Sequence, residues 1–323
     1  MDRHISSVTD LERQLTARYR IGYDEALKLL RTTPEEELYA LAHRLRTHYQ
    51  GKQFETCSIM NARSGRCSED CKWCAQSKFY HTDIQIYPLI DEPEALAEAR
   101  HNAAKGVKRF SLVTSGRSLT DREIDKISAI YRQIGSTVAI RLCASMGLLN
   151  REQLQKLKDS GVERYHCNME TAPSYFKQLC STHTPEEKIQ TIRWAKEVGL
   201  SVCSGGIIGM GESEEQRIEL AVTLQQIGVD SIPVNVLNPI PGTALENTPP
   251  LSDSQVLRAM AMMRIINPTA DIRLAGGRNR IKHLEDRLLF CGVSASIVGD
   301  MLTTAGSKID ADLTFFRSHG FEV

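Results

Sequence analysis

The chain has no surplus of charge. Its 323 residues carry 40 Lys and Arg against 40 Asp and Glu, and no basic run is interleaved with aromatics, which make up only 6% of the chain. That balance argues against a polyanion partner, nucleic acid included. Long apolar runs are also missing. The most apolar stretches, near 200–211 and 288–299, are rich in Gly and Ser and fall short of the roughly 20 residues of a membrane-crossing helix. The opening MDRHISSVTDLER is charged from its second residue and has no apolar centre for a secretory signal. A soluble, cytoplasmic protein without a membrane partner is expected. Neither GxGxxG nor GxxxxGK[ST] follows a strand candidate, and the glycine-rich CSGGIIGMGE has neither spacing. No stretch rich in Pro, Ser or charge divides the chain, so one domain over 51–323 is expected behind a helical extension at 1–50.

The most informative absence is a ligand. CSEDCKWC, residues 67–74, holds Cys67, Cys71 and Cys74 with the spacing C-x3-C-x2-C. A closed zinc site takes four protein ligands, and the next histidine, His81, is seven residues beyond Cys74. An iron–sulfur cubane held by three thiolates instead leaves one iron open to a substrate or cofactor. The stretch is polar, contains Gly65 just upstream, and follows a strand candidate. Loops at the C-terminal ends of barrel strands carry the active sites of (β/α)8 enzymes. Spacing and position together favour an iron–sulfur cluster over structural zinc.

What is present from about residue 53 onward is alternation. Apolar, β-rich segments occur at 54–60, 109–115, 137–145, 163–169, 200–209, 230–237, 271–276 and 294–299. Between them lie helix-period segments, among them 92–106, 120–135, 150–161, 184–199, 213–228 and 252–266. Several start at Thr, Ser or Asn and stop at Gly, and SEEQ and TPEE have or approach the capping-box pattern. Alternating strands and helices predict parallel strands, and eight of them predict a closed (β/α)8 TIM barrel, an α/β fold.

The other cysteines divide into two groups. Without an export signal a disulfide framework is not expected. Cys180 and Cys291 read as small buried hydrophobes. Cys57, Cys143, Cys203 and Cys167 sit in the first, third, fifth and fourth strand candidates. Interior side chains of a small barrel converge in layers, so these four are either core fillers or the ligands of a second, buried cluster. Arg273, also on a strand candidate, needs a partner if buried: a salt bridge at the rim, an anionic cluster, or a substrate carboxylate or ureido oxygen.

C-x3-C-x-aromatic-C, with Trp73 as the aromatic, resembles the signature of radical S-adenosylmethionine (SAM) enzymes. SGRCSEDCKWCAQS, CNMETAPSYF, VCSGGIIGMGE, PVNVLNPIPGT, IRLAGGR and MLTTAG narrow the likeness, which runs from about 50 to 315, to the biotin synthase family. That resemblance implies that Cys67, Cys71 and Cys74 ligate a 4Fe–4S cluster and that SAM occupies its open iron. Cleavage of SAM would give a 5′-deoxyadenosyl radical, which takes hydrogen from dethiobiotin before sulfur is inserted. It implies Trp73, Asn168 and Glu170 as SAM contacts, with Asn168 and Asn235 hydrogen-bonding the substrate. It implies a low-potential electron donor such as flavodoxin or ferredoxin, and it is compatible with a homodimer.

The better-known family pattern holds an auxiliary 2Fe–2S cluster with three cysteines and an arginine. Cys143, Cys203 and Arg273 fall on three of those positions, but the fourth is Ser111. Cys57 is an added cysteine, and Cys167 stands where the pattern has His. The sequence thus resembles the anaerobe-type variants with a 4Fe–5S auxiliary cluster, held here by Cys57, Cys143 and Cys203, with Cys167 as candidate fourth ligand and Arg273 beside it. Two rivals remain at this point. One is another radical SAM barrel enzyme, of hydrogenase-maturase or amino-acid-mutase type. The other is a non-catalytic electron carrier, which would want fully ligated clusters and no large barrel.

Overall fold

The computed structural model describes residues 7–299, 302 and 308–323. All of MLTTAG except Leu302 lies outside them. Three helices come first, α1 Val8–Thr16, α2 Tyr23–Thr32 and α3 Glu35–Gln50. The strands then follow as β1 Glu55–Arg63, β2 Arg109–Thr114, β3 Arg141–Ser145, β4 Val162–His166, β5 Ser201–Cys203, β6 Gly206–Ile208, β7 Ser231–Val236, β8 Asp271–Leu274 and β9 Ala295–Ile297. All neighbours pair in parallel, in the order β5-β4-β3-β2-β1-β9-β8-β7-β6, and a β5–β7 pairing closes the ring. Because β5 and β6 share one place in the ring, this is the expected eight-stranded barrel.

Each of the eight strand candidates forms a strand, and the fifth is broken at Ser204-Gly205. The break has a steric cause. A Cβ on Gly205 would lie 2.0 Å from the carbonyl oxygen of Pro233, and one on Gly206 would lie 2.5 Å from that of Glu170. Only glycine lets the backbones of the neighbouring strands come this close. The same region holds a bulge. His166 pairs with Cys203 and Glu170 pairs with Gly206, so four steps along one strand match three along the other. The extra residue re-aims the chain over Cys167, Asn168 and Met169. It ends at Glu170, whose φ of 69° is a left-handed value uncommon outside glycine.

Outside the ring run α4 Glu92–Ala104, α5 Asp121–Thr137, α6 Arg151–Asp159, α7 Pro173–Leu179, α8 Pro185–Glu197, α9 Glu214–Ile227, α10 Asp253–Ile266, α11 Glu285–Leu289 and α12 Ile309–Ser318. Thr120, Asn150, Thr184, Ser213 and Ser252 each accept the N–H three residues on, and the Glu or Gln there answers back. Helices α3 and α10 pack together, which buries Leu38, Leu41, Ala42 and Leu45. At the far end of the chain, Phe316 of α12 stacks on Phe54, next to the start of β1, at 4.2 Å. No helix among the described residues is long and apolar enough to cross a membrane. The close approach at the broken strand predicts that Gly205→Ala destabilises the fold by about 1–3 kcal/mol. A lower urea midpoint with an unchanged slope is expected, and an unchanged midpoint would contradict the packing described.

Candidate active site

One cavity of about 360 Å3 runs down the barrel axis, a size typical of small-molecule sites. Its mouth is made by the loop after β1, which carries Cys67, Cys71 and Cys74. That loop is fastened from several sides. Cys67 N–H donates to the Gln76 carbonyl at 2.9 Å and Lys78 N–H returns to the Cys67 carbonyl at 2.9 Å. Lys72 N–H donates to the Leu179 carbonyl at 3.0 Å, and Ser181 N–H donates to the Asp70 carboxylate at 2.9 Å. Trp73 lines the cavity and packs beside Leu179, Met210 and Leu237.

Deeper in the same cavity stand Cys57, Cys143 and Cys203, all buried. Cys57 and Cys143 stand on either side of β2, whose residue paired with Cys143 is Ser111. The interaction of the two thiols pushes Cys57 up, together with burial, and brings Cys143 down, with Arg109 and Arg164 assisting. Burial pushes Cys203 up, against the pull of Arg273 and Arg164. Beneath the thiols, Glu55 on β1 receives Arg109 from β2 at 2.5 Å, Arg164 from β4 at 2.7 Å and Arg273 from β8 at 2.5 Å. Burial alone would raise the Glu55 carboxyl, but Arg273, Arg164 and Arg109 outweigh it and hold it far below the usual carboxylate range. Arg273 therefore has a carboxylate partner at the barrel floor rather than at its rim, and it is still part of the cavity wall.

Between mouth and floor lie Asn168, Glu170 and Asn235. Asn168 accepts from Gly205 N–H at 2.9 Å and donates to Glu170 at 3.3 Å. Asn235 accepts from Gly276 N–H at 2.8 Å and donates to the Gly206 carbonyl at 3.0 Å. Each amide thus spends one donor and one acceptor on the chain and keeps one of each. Cys167 also lines the cavity, but the charged groups acting on it are Lys188 and Glu170, which sets it apart from the three deeper thiols.

Sequence reasoning missed several wall residues. Arg164 and His166 are two apart on β4, so the period of two that placed Cys143 could have found them. Burial pushes His166 down to about 4, which leaves the ring neutral. Lys188, in the first turn of α8, is buried and makes no ion pair among the described residues. Burial would lower it, yet Cys167 and Glu170 hold it up as an ammonium. No pattern in the sequence marks it. Cys291 is apolar filler as expected, but Cys180 is not: its Sγ lies 3.7 Å from that of Cys71 and 3.3 Å from His183 Nδ1. The fold brings the loop after α7 against the cysteine loop, a contact that periodicity cannot reveal.

Known proteins fit this geometry. Residues 62–224 match the Radical SAM superfamily, and residues 233–322 match the Biotin and Thiamin Synthesis associated domain. The barrel and its three-cysteine mouth are thus those of a radical SAM enzyme. Biotin synthase of Parabacteroides distasonis is 50% identical over 305 residues, covering 94% of this chain and 93% of that protein. Biotin synthase of Porphyromonas gingivalis is 51% identical over 302 residues, covering 93% and 92%. The chain belongs to the biotin synthase family. Among solved structures, methylornithine synthase superposes with a TM-score of 0.80 at 17% identity, covering 97% of this chain and 96% of that one. The FeFe-hydrogenase maturase of Carboxydothermus hydrogenoformans gives 0.81 at 19%, covering 97% and 78%. At such identities these two share the fold alone. The relatives at half identity decide between biotin synthase and the rival radical SAM enzymes.

The floor network predicts a pH-dependent loss. Glu55→Gln takes the carboxylate from Arg164 and Arg273 and leaves Arg109 with Glu163 alone, and should cost about 3–5 kcal/mol at pH 7. The depressed Glu55 carboxyl contributes its stability in full above about pH 4.3, the unfolded value, and loses it as the pH falls from there toward the folded value. Urea unfolding should therefore show a gap between parent and variant at pH 7 that narrows only in acid. Equal midpoints at pH 7 would contradict the role given to Glu55.

Proposed function

We infer that this chain makes biotin by inserting sulfur into dethiobiotin, and that its two groups of thiols hold two iron–sulfur clusters at opposite ends of one cavity. The observation that carries the reading is that Cys67, Cys71 and Cys74 at the mouth share a single space with Cys57, Cys143 and Cys203 at the floor. A substrate lying between them could be attacked from one side and receive sulfur from the other. When bound, the mouth cluster with SAM supplies a carbon-centred radical able to take hydrogen from an unactivated C–H bond, and the floor cluster supplies sulfur.

The donors fit those groups. Three thiols on one loop suit a 4Fe–4S cluster with an open iron. The buried ammonium of Lys188, which makes no ion pair among the described residues, suits the carboxylate of SAM, the Glu170 carboxylate suits ribose hydroxyls, and Trp73 offers an apolar wall. The backbone of Glu170 is bonded on both sides, to the Gly205 carbonyl at 3.1 Å and from Ile207 N–H at 2.8 Å, which fixes its carboxylate despite the strained φ. The spare donor and acceptor of Asn168 and of Asn235 suit a neutral ureido ring. Walls of apolar side chains and backbone keep water from the reacting carbon.

At the floor, Arg109, Arg164 and Arg273 lie beneath the thiols on Glu55, with Arg109 shared by Glu163. Cys57, Cys143 and Cys203 are the proposed ligands, and Arg273 lies beside them. A 4Fe–5S type is favoured over 2Fe–2S because Ser111 cannot supply the missing thiolate and Cys57 adds one elsewhere. Neutral His166 is a better-placed companion to the three thiols than Cys167. Each SAM cleaved consumes one electron, so a low-potential carrier such as flavodoxin or ferredoxin is inferred. Nine unbridged thiols suit a reducing, cytoplasmic setting.

Anaerobically reconstituted protein should form 5′-deoxyadenosine in a dethiobiotin-dependent manner and release biotin. Cys57→Ala should retain the mouth cluster and SAM cleavage, lose iron and sulfide from the floor, and lower the biotin yield by at least about tenfold. If its iron content and biotin yield match the parent, the floor assignment is wrong. If the parent cleaves SAM without making biotin from dethiobiotin, the function itself is wrong.

A further inference from the structure

We propose that the cluster-free chain binds one thiophilic divalent cation, Zn2+ or Fe2+, between Cys71, Cys180 and His183. The Sγ atoms of Cys71 and Cys180 are 3.7 Å apart. Two thiolates about 2.3 Å from one tetrahedral ion stand about 3.8 Å apart. Without an ion the Cys71 thiol donates a hydrogen bond to Cys180 across that distance, and Cys180 stands outside the C-x3-C-x2-C set. Cys180 Sγ is 3.3 Å from His183 Nδ1 and 3.9 Å from Nε2, and one donor atom from each of the three residues lies within 4.8 Å of the others.

The histidine is also oriented for the task. Its Nδ1 lies 2.7 Å from Glu69 Oε2. A proton held there fixes the tautomer that leaves the Nε2 lone pair free, the carboxylate–histidine–metal arrangement of many metal sites. Glu69 is held in turn by Ser68 Oγ at 2.9 Å and Arg117 at 3.4 Å. Cys180, His183 and Glu69 are all buried. The two loops that supply the donors are already joined through Asp70 to Ser181 and through Lys72 to Leu179, so only side-chain rotation is needed to bring the donors onto one ion. A fourth position is left to solvent or a small thiol.

Because Cys71 belongs to both sites, the single-ion state and the mouth cluster exclude each other. Zn2+ seated there blocks cluster assembly, whereas Fe2+ seated there is an iron already delivered to the cysteine loop. The full-length chain, stripped of its clusters under reducing and anaerobic conditions, is titrated with Co2+ as a spectroscopic probe and then with Zn2+. One tetrahedral Co2+ per chain is expected, with thiolate-to-metal charge-transfer bands that Zn2+ abolishes. Cys180→Ala and His183→Gln should each weaken binding by about tenfold or more, and Cys67→Ala should keep it. Should Cys180→Ala not fold, Cys180→Ser keeps the volume and tests the same donor. Parent protein preloaded with Zn2+ should rebuild its mouth cluster more slowly than Cys180→Ser treated alike, and protein preloaded with Fe2+ should not be slowed. Undiminished binding in the Cys180 and His183 variants overturns the proposal, because the ion would then sit on the other thiols. So does loss of binding in Cys67→Ala, or equal rebuilding rates after Zn2+.

Discussion

The barrel floor depends on one carboxylate. Glu55 stands at the start of β1 and draws in guanidinium groups from β2, β4 and β8. Buried ion pairs contribute little net stability, because desolvation offsets most of the attraction. What this network supplies is position. Four strands are referenced to one point, and Cys57, two residues after Glu55, together with Cys143, opposite Arg164 in register, is set just above it. Glu163 shares Arg109 and Arg141 at the more exposed edge.

From that floor upward, β1 connects both ends of the cavity. Cys57 lies near its beginning, and the strand leads directly into the loop of Cys67, Cys71 and Cys74. On the opposite wall, Arg164, His166, Asn168 and Glu170 keep the alternation of β4, and the extra residue between His166 and Glu170 adds Cys167 to the cavity lining. Asn168 reaches the backbone of Gly205 and hydrogen-bonds Glu170. The glycines of the broken fifth strand make room for this, so CSGGIIG serves close approach of backbones and not phosphate binding.

Much of this was legible in the sequence because it is local. Alternation marked the eight strand positions, Thr, Ser and Asn caps with the SEEQ and TPEE patterns marked helix starts, and three cysteines in eight residues marked the mouth. Ser111 pairs with Cys143 in the register of β2 and β3. Other features arise only when distant segments meet. Glu55, read in isolation, is one more charged residue before a strand, and its three partners lie 54, 109 and 218 positions away. Cys180 was read as filler because nothing near it in sequence is a cysteine, whereas in space its nearest thiol is Cys71. Lys188 lies on a helix whose other charges face solvent, and only its burial distinguishes it. Helix α7, seven residues long, is too short for periodicity to mark.

The central claim is that sulfur reaches the substrate from the floor while the radical comes from the mouth. Its most direct test is a single-turnover reaction with protein whose floor cluster has been rebuilt with isotopically labelled sulfide, followed by mass spectrometry of the biotin formed. The account predicts that the label appears in biotin in the proportion present in the cluster and falls in later turnovers as unlabelled sulfide replaces it. Unlabelled biotin from a fully labelled cluster would contradict it.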